Sequence, residues 1–122
     1  MHYKRVELKV TNQGIHERKI FQGVKIFSRS TLSKDQKSIL TQKLYLTPKQ
    51  NIVYYQRTDV NYDQNWHHNK DYYELAYDQL DRETVFKVSQ DFDELGPFLE
   101  NELLEKLKEK QSTGKFFEKL DI

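Results

Sequence analysis

The chain has 122 residues and a formal net charge of +1, with 36% hydrophobic and 32% charged residues, so it fits one domain with a single core. Its aromatic fraction of 13% excludes a disordered segment, and the absence of cysteine excludes a disulfide framework, a thiolate zinc site and a cysteine nucleophile. No apolar run approaches the roughly 18 residues of a membrane span, and no signal peptide precedes the first strand, so we expect a cytoplasmic protein without a membrane partner.

Alternating apolar residues predict two strands near the start of the chain. The first strand ends at the turn sequence 12–14 and carries three apolar residues, Val6, Leu8 and Val10. The second is predicted over Lys19–Phe27 and is followed by a polar connection over residues 28–36. A bulge or a close backbone approach at Gly23 would place its three apolar residues on one face, namely Phe21, Val24 and Ile26.

The clearest prediction is a β-hairpin over residues 42–59. Apolar residues recur at every second position on both sides of the polar loop Thr47–Asn51. Pro48 has the fixed φ that suits the second position of a turn. Asn51 tolerates the left-handed conformation that often closes a loop of this length.

Further strands complete the predicted sheet. Residues 61–71 have an irregular pattern, after which alternation returns at Tyr73, Leu75 and Tyr77. Val85–Val88 gives a short last strand. Strands at this spacing, with no helix between them, predict an antiparallel meander of about five to six strands over residues 3–88.

A change of periodicity after Val88 predicts a helical segment over about residues 91–110. Asp91 opens a D-x-x-E pattern close to a capping box, and Pro97 suits the first position of a restarted helix. Leucines at steps of four, with Leu104 beside them, form one apolar stripe, whose other members are Leu95, Leu99, Leu103 and Leu107. A helix with one apolar face and no partner helix packs on the sheet, so we expect residues 1–122 to form a single α+β domain.

The tail, residues 115–122, is unusually apolar for the end of a polar chain. Its ending, Glu118-x-Leu120-Asp121-Ile122, resembles the C-terminal signature of the EXLDI protein family. Shorter similarities are spread along the chain, at Lys19–Gly23, at Tyr45–Lys49 with Val53 and Tyr55, and at Leu95, Pro97, Glu102 and Leu103. Where the family tends to have glycine in the hairpin turn, this chain has Gln50-Asn51. The resemblance implies a small bacterial domain and supplies no chemistry.

Leu120 and Ile122 are the candidate anchors of this tail. Burying one such side chain is worth roughly 1.5–3 kcal/mol, so we expect both to be buried on the chain's own sheet, with Asp121 held by basic side chains or backbone N–H groups. Two alternatives stay open, which are recognition of Glu118–Ile122 by another protein and exchange of the tail between the subunits of a homodimer. Deleting residues 118–122 should lower the melting temperature or dissociate such a dimer.

One cluster combines metal-ligand residue types, formed by His67 and His68 with Asp63 and Asp71 nearby. Adjacent histidines diverge and seldom bind one ion, so we expect a solvated loop that holds neither a metal nor another cofactor. The alternative is a small-molecule pocket or an enzyme active site between the sheet and the loop over residues 62–68, which includes Trp66. No phosphate-binding or nucleophile motif occurs, and we assign no catalytic residue.

Charge is divided unevenly between the halves of the chain. Residues 1–60 contain 12 Lys/Arg against 4 Asp/Glu, a net +8, and residues 61–122 contain 8 against 15, a net −7. We expect basic strands and acidic helices to neutralise each other within the fold, so nucleic-acid binding is not favoured. The alternative is a basic sheet face that binds nucleic acid or an acidic partner.

Tyr54, Tyr55 and Arg57 are the hairpin residues on which a nucleic-acid site would depend. Interleaved aromatic and basic side chains can stack on single-stranded bases. The favoured interpretation is instead cross-strand packing of the two rings within the sheet. We therefore expect a non-catalytic interaction or regulatory module whose partner is another protein or a second copy of this chain.

Overall fold

The computed structural model describes residues 3–61, 84–114 and 116. Within these ranges the strands are β1 (Lys4–Asn12), β2 (Ile15–Leu32), β3 (Ser38–Leu46), β4 (Ile52–Val60) and β5 (Val85–Ser89). They form one antiparallel sheet in the order β1-β2-β3-β4-β5, so each strand pairs with its neighbour in the sequence. A 3-10 turn (Phe92–Leu95) and the helix α1 (Asn101–Thr113) follow the sheet. The predicted α+β class, an antiparallel meander with a C-terminal helical segment, is confirmed.

Short turns with left-handed residues connect the first strands. Gln13 and Gly14 join β1 to β2 with φ values of 53° and 80°, as a two-residue hairpin turn requires. In the predicted central hairpin, the Thr47 N–H donates to the Asn51 carbonyl at 3.0 Å. Gln50, with φ of 66°, adopts the left-handed conformation that was predicted for Asn51. The Asn51 N–H instead donates to Thr47 Oγ1 at 3.1 Å.

β2 spans 18 residues and extends beyond the predicted Lys19–Phe27 at both ends. Residues 15–23 pair with β1 and residues 24–32 pair with β3, so this strand links two parts of the sheet. Residues 28–32, predicted as part of a polar connection, are strand because β3 pairs with them. The side chains of residues 28–32 do not alternate between apolar and polar, so the sequence alone does not indicate a strand there.

The irregularity of β2 lies between Lys25 and Phe27, beyond the bulge predicted at Gly23. Phe21 packs with one core cluster, whereas Val24 and Ile26 pack with the other. The prediction that these three residues share a face is wrong, because β2 contributes side chains to the cores on both faces. At Gly23, a Cβ atom would lie 2.9 Å from the Phe21 ring and 3.4 Å from the backbone carbonyl oxygen of Leu46.

One face of the sheet, here called the covered face, packs against the 3-10 turn and α1. Its buried cluster consists of Leu44, Leu46, Ile52, Tyr54, Phe92, Leu95, Leu99, Leu104 and Leu107. Phe116 packs at the margin, with its ring centroid 6.4 Å from that of Phe92. This packing confirms that the helical segment lies on the sheet.

The helical segment begins differently from the prediction. Asp91 Oδ1 accepts the N–H groups of Asp93 at 2.7 Å and Glu94 at 3.3 Å, so the predicted cap is present but serves the 3-10 turn. α1 starts only at Asn101, so Pro97 does not occupy the first helical position. The chain turns after Leu95, whose carbonyl accepts the Phe98 N–H at 2.9 Å.

This late start changes the apolar stripe of α1. Leu95 and Leu99 are buried but precede the helix, and Leu104 and Leu107 are the buried residues within it. Leu103, predicted to lie in the stripe, is only half-buried. In the described residues no helix has both the length and the apolar composition that crossing a membrane requires.

The opposite face, here called the open face, carries a second cluster of Leu8, Val10, Tyr45, Val53 and Tyr55. Strands of the same sheet cover it. The Tyr55 hydroxyl on β4 donates to the Lys9 carbonyl on β1 at 2.7 Å, although two strands lie between them in the sheet. Thr84 Oγ1, just before β5, accepts the Thr11 N–H and donates to the Thr11 carbonyl, both at 2.6 Å. The sheet is therefore curled into a half-barrel, and the Thr11–Thr84 contact forms its seam.

Candidate interaction site

Tyr54, a predicted site residue, is buried on the covered face. Its ring stacks on Phe98 with the centroids 4.9 Å apart. Its hydroxyl donates to Gln56 Oε1 at 2.6 Å and accepts from Gln42 Nε2 at 2.9 Å. Burial raises the pKa of this hydroxyl, with the Gln42 hydrogen bond acting in the opposite direction. Tyr54 therefore acts as a core residue.

Tyr55 and Arg57 lie on the open face. The Tyr55 side chain is only 2% exposed and packs in the second cluster. Arg57 is exposed, and its Nε donates to Asp59 Oδ2 at 2.8 Å. Because Tyr54 and Tyr55 are both buried and point to opposite faces, they form no stacking platform for bases. Each ring packs in the core cluster of its own face, and the Tyr54 ring stacks on Phe98, which lies outside the sheet.

The remaining predicted site residues lie outside the described ranges, and they are Trp66, His67, His68, Glu118, Leu120, Asp121 and Ile122. The pocket near residues 62–68 and the docking of the tail therefore stay predictions. In the described ranges, no group of three or more His, Asp or Glu side chains is placed to hold a metal ion.

A cleft of about 570 Å³ opens on the open face between β2, β5 and the loop Thr47–Asn51. Phe21, Val53 and Phe86 supply apolar side chains to its lining. Phe21 is fixed by an edge-to-face contact with Tyr45, with ring centroids 5.5 Å apart. Val88 borders the cleft on β5 and is 53% exposed. The cleft thus presents an apolar surface that the rest of the described fold leaves accessible.

The rim of the cleft is cationic. Arg18 pairs with Glu7 at 3.3 Å, and Lys19 pairs with Glu17 at 2.8 Å. The Lys19 Nζ also lies 5.7 Å from the centroid of the Phe86 ring. Lys49 lines the cleft and has no carboxylate of the described residues within ion-pair distance.

An unpaired strand edge borders the same cleft. β1 pairs with one edge of residues 15–23, and no strand among the described residues pairs with the other edge. The five consecutive residues Arg18–Gln22 all line the cleft, although alternate side chains of a strand point to opposite faces. The backbone of β2 therefore faces the cleft with N–H and C=O groups that a further strand can bind.

Sequence reasoning missed this cleft. Phe21 lies on β2 and Phe86 on β5, with β3 and β4 between them in the sheet order, and only the curl of the sheet brings them to one site. One available signal was the apolar residue Val88 at the end of a short last strand. A second was the basic pair Arg18-Lys19 beside an apolar strand.

No protein-family model, curated protein or solved structure matches this chain. Membership in the EXLDI family, which the ending of the chain resembles, stays a prediction.

Proposed function

We propose that this protein is a non-catalytic interaction module that binds an extended segment of a protein partner in the cleft between β2 and β5. The observation that supports the proposal is an edge of β2, beside an apolar cleft, with which no strand among the described residues pairs. An extended segment can add to such an edge through main-chain hydrogen bonds while its alternate side chains enter the cleft.

The lining predicts the chemistry of that segment. Phe21, Val53 and Phe86 favour apolar side chains, and Lys49 on the rim favours a carboxylate. The cleft volume of about 570 Å³ lies within the roughly 300–1,000 Å³ of typical binding pockets. We therefore expect the partner segment to alternate apolar and acidic residues.

The chain's own ending, Glu118–Ile122, has this acidic and apolar composition. If the ending of a second copy competes for the cleft, the module self-associates, and the experiments below distinguish that outcome. We propose in addition that the protein is cytoplasmic and that it is a small bacterial domain of the family that its ending resembles.

NMR titration of the full chain with a capped peptide of alternating leucine and aspartate tests the proposal. We expect dose-dependent shifts of the backbone amides of Arg18–Gln22, Lys49 and Val88. A matched peptide of alternating leucine and lysine should bind more weakly, because the rim is cationic. Equal binding of both peptides contradicts the acidic specificity, and shifts confined to other regions contradict the site.

Substitutions at the edge of the cleft provide the controls. Val88→Asp places a carboxylate beside the apolar lining and should weaken binding of the leucine–aspartate peptide about tenfold or more, equivalent to about 1.4 kcal/mol. Leu32→Asp is the matched control, because Leu32 is an apolar strand residue, 48% exposed, that does not line the cleft. Lys49→Glu should also weaken binding, whereas Lys34→Glu should not. Unchanged affinity in both Val88→Asp and Lys49→Glu excludes the cleft.

Sedimentation velocity of the full chain identifies the occupant. A monomer that binds the leucine–aspartate peptide supports a separate protein partner. A concentration-dependent dimer that Val88→Asp dissociates shows that a second copy occupies the cleft. A dimer that Val88→Asp leaves intact places self-association elsewhere on the chain.

A further inference from the structure

Cationic side chains line up across four neighbouring strands of the open face. They are Lys4 on β1, Lys25 on β2, Lys43 on β3 and Arg57 on β4, here called the cationic stripe. Residues that pair directly across two strands, and residues two apart on one strand, share a face. This rule, applied to the register, places all four on the open face.

The register gives the path of the cationic stripe. Lys4 lies opposite Gly23, which precedes Lys25 by two positions on β2. Lys25 lies opposite Tyr45, and Lys43 is two positions from Tyr45 on β3. Lys43 lies opposite Tyr55, and Arg57 is two positions further along β4. Each cation is thus the diagonal neighbour of the next, at a spacing of roughly 7–8 Å.

The charges of the cationic stripe act on one another. Burial lowers the pKa of Lys43, and the positive charges of Lys25 and Arg57 lower it further, against an opposing effect of Asp59. No carboxylate of the described residues lies within ion-pair distance of Lys4, Lys25 or Lys43. Lys25 and Arg57 thus repel the protonated Lys43 across the diagonals of the sheet, and an anion bound here would relieve that repulsion.

The acidic helical segment does not compensate the cationic stripe, because it packs on the covered face. In the described residues, the ion pair that joins a strand to this segment is Arg29–Glu100 at 2.7 Å. Arg29 lies opposite Gln42 and so belongs to the covered face. Neutralisation between basic strands and acidic helix therefore occurs on that face, and the cationic stripe lies on the other.

Hydroxyl groups accompany the cations. Ser28 lies opposite Lys43, and Thr41 lies opposite both Arg57 on β4 and Ser30 on β2. Lys, Arg, Ser and Thr side chains are the common ligands of nucleic-acid phosphates. The aromatic rings nearest the cationic stripe, Tyr45 and Tyr55, are 7% and 2% exposed, so they offer no surface on which bases can stack.

We propose that the cationic stripe binds the phosphate backbone of a single-stranded nucleic acid, without reading the bases. The face is concave, which a flexible single strand can follow, whereas a duplex is stiff over a persistence length of about 50 nm. Four neighbouring strands about 4.8 Å apart give a path of at least ~14 Å, enough for several phosphates. This function is additional to the peptide cleft and uses different side chains.

Fluorescence anisotropy of the full chain with fluorescein-labelled oligothymidylate tests this inference. We expect a dissociation constant on the order of 10⁻⁴–10⁻⁶ M at physiological salt, with little difference between base compositions. Each phosphate contact to a single strand contributes about −0.7 to the slope of log K against log salt, so four contacts predict about −3. A slope near zero, or a tighter complex with a duplex of equal length, overturns the proposal.

Charge substitutions assign the binding to the cationic stripe. Lys43→Gln should weaken binding and reduce the slope by about 0.7, and Lys25→Gln should do the same. Lys106→Gln on α1 is the matched control and should change neither value. Asp59→Asn removes the carboxylate that pairs with Arg57 and should strengthen binding and steepen the slope.

Two further comparisons separate this inference from its competitors. Polyglutamate of equal length and charge should bind more weakly than oligothymidylate; equal affinity would assign the face to acidic proteins and overturn the nucleic-acid proposal. Val88→Asp should leave oligothymidylate binding unchanged, because the cleft and the cationic stripe are separate. If Lys43→Gln and Lys25→Gln both bind like the unmodified chain, the cationic stripe is not the site.

Discussion

The covered face and the open face bury their apolar residues in different ways. On the covered face, Leu44, Ile52 and Tyr54 are fully buried beneath the 3-10 turn and α1. On the open face, Val53 and Tyr55 are almost as fully buried, but beneath strands of the same sheet. The helical segment packs across the covered face. On the open face, the curled sheet leaves a cleft where residues 15–23 of β2 extend beyond β3.

This difference explains where the two proposed binding surfaces lie. On the covered face, Gln42 is 3% exposed and bonds to Arg29, Tyr54 and the Phe98 carbonyl, so its polar groups are satisfied within the fold. On the open face, Lys43 and Lys49 have no such partners among the described residues. Among the described residues, the covered face is held by internal contacts, whereas on the open face Lys43 and Lys49 have no ion-pair partner and one edge of β2 has no paired strand.

The largest effect should come from removing a buried side chain of the covered face. Leu104→Ala leaves a cavity between α1 and the sheet and should lower the free energy of unfolding by about 2–5 kcal/mol. Leu103→Ala is the matched control and should cost clearly less, because Leu103 is half-buried. Urea denaturation followed by circular dichroism measures both. Equal losses would mean that α1 packs through a different stripe.

The seam of the open face should give the next largest effect. Thr84→Val keeps the side-chain shape but removes the hydroxyl that bonds both backbone groups of Thr11, which is itself buried. We expect a loss of about 1–3 kcal/mol, the usual cost of leaving buried polar groups unsatisfied. Hydrogen exchange at the Thr11 amide should become faster. Unchanged protection there would show that the half-barrel stays closed without the hydroxyl.

The cap of the 3-10 turn should have a moderate effect on the covered face. Asp91→Ala removes the acceptor for the N–H groups of Asp93 and Glu94 and should cost about 1 kcal/mol. Asp91→Asn should lose much less stability than Asp91→Ala, since asparagine is also a good cap. Thermal unfolding compares the two variants. A loss in Asp91→Asn as large as that in Asp91→Ala would mean that charge, and not the cap, is what stabilises the turn.

The smallest effect should have the opposite sign and lie on the open face. Because the folded state lowers the pKa of Lys43, its protonated form is disfavoured, and this destabilisation persists at every pH below the folded pKa. Stability should recover as the pH rises toward the unfolded value of 10.5. Lys43→Gln should therefore raise the melting temperature slightly at pH 7, with a gain that shrinks near pH 10. A lower melting temperature at pH 7 would show that packing of the lysine stem outweighs the charge repulsion.

Local patterns predicted the parts of the fold that depend on neighbouring residues. The alternation within residues 42–59 identified both strands of the central hairpin, because each face of β3 and β4 is buried and selects its own side chains. Asp91 was identified as a cap because capping depends on residues within one turn of chain. These signals involve residues close in sequence, so they can be recognised without knowing the rest of the fold.

Features that depend on distant partners were not predictable in this way. The outer parts of β2 carry exposed polar side chains and become strand only because β1 and β3 pair with them. The start of α1 has no side-chain cap at Glu100, so no local signal marks it. The cleft needs Phe21 and Phe86 together, and this contact follows from the curl of the whole sheet.

The seam between Thr11 and Thr84 also has a consequence for folding kinetics. Its residues are 73 positions apart, whereas hairpin partners in β1 and β2 are close in sequence. Ordering a long loop costs entropy before the distant contact is gained, so we expect the hairpins to form first and the seam to close after the rate-limiting step. Thr84→Val should then accelerate unfolding and leave the refolding rate unchanged, which stopped-flow measurements over a range of urea concentrations can show. The seam thereby determines the lifetime of the native state more than the speed at which it is reached.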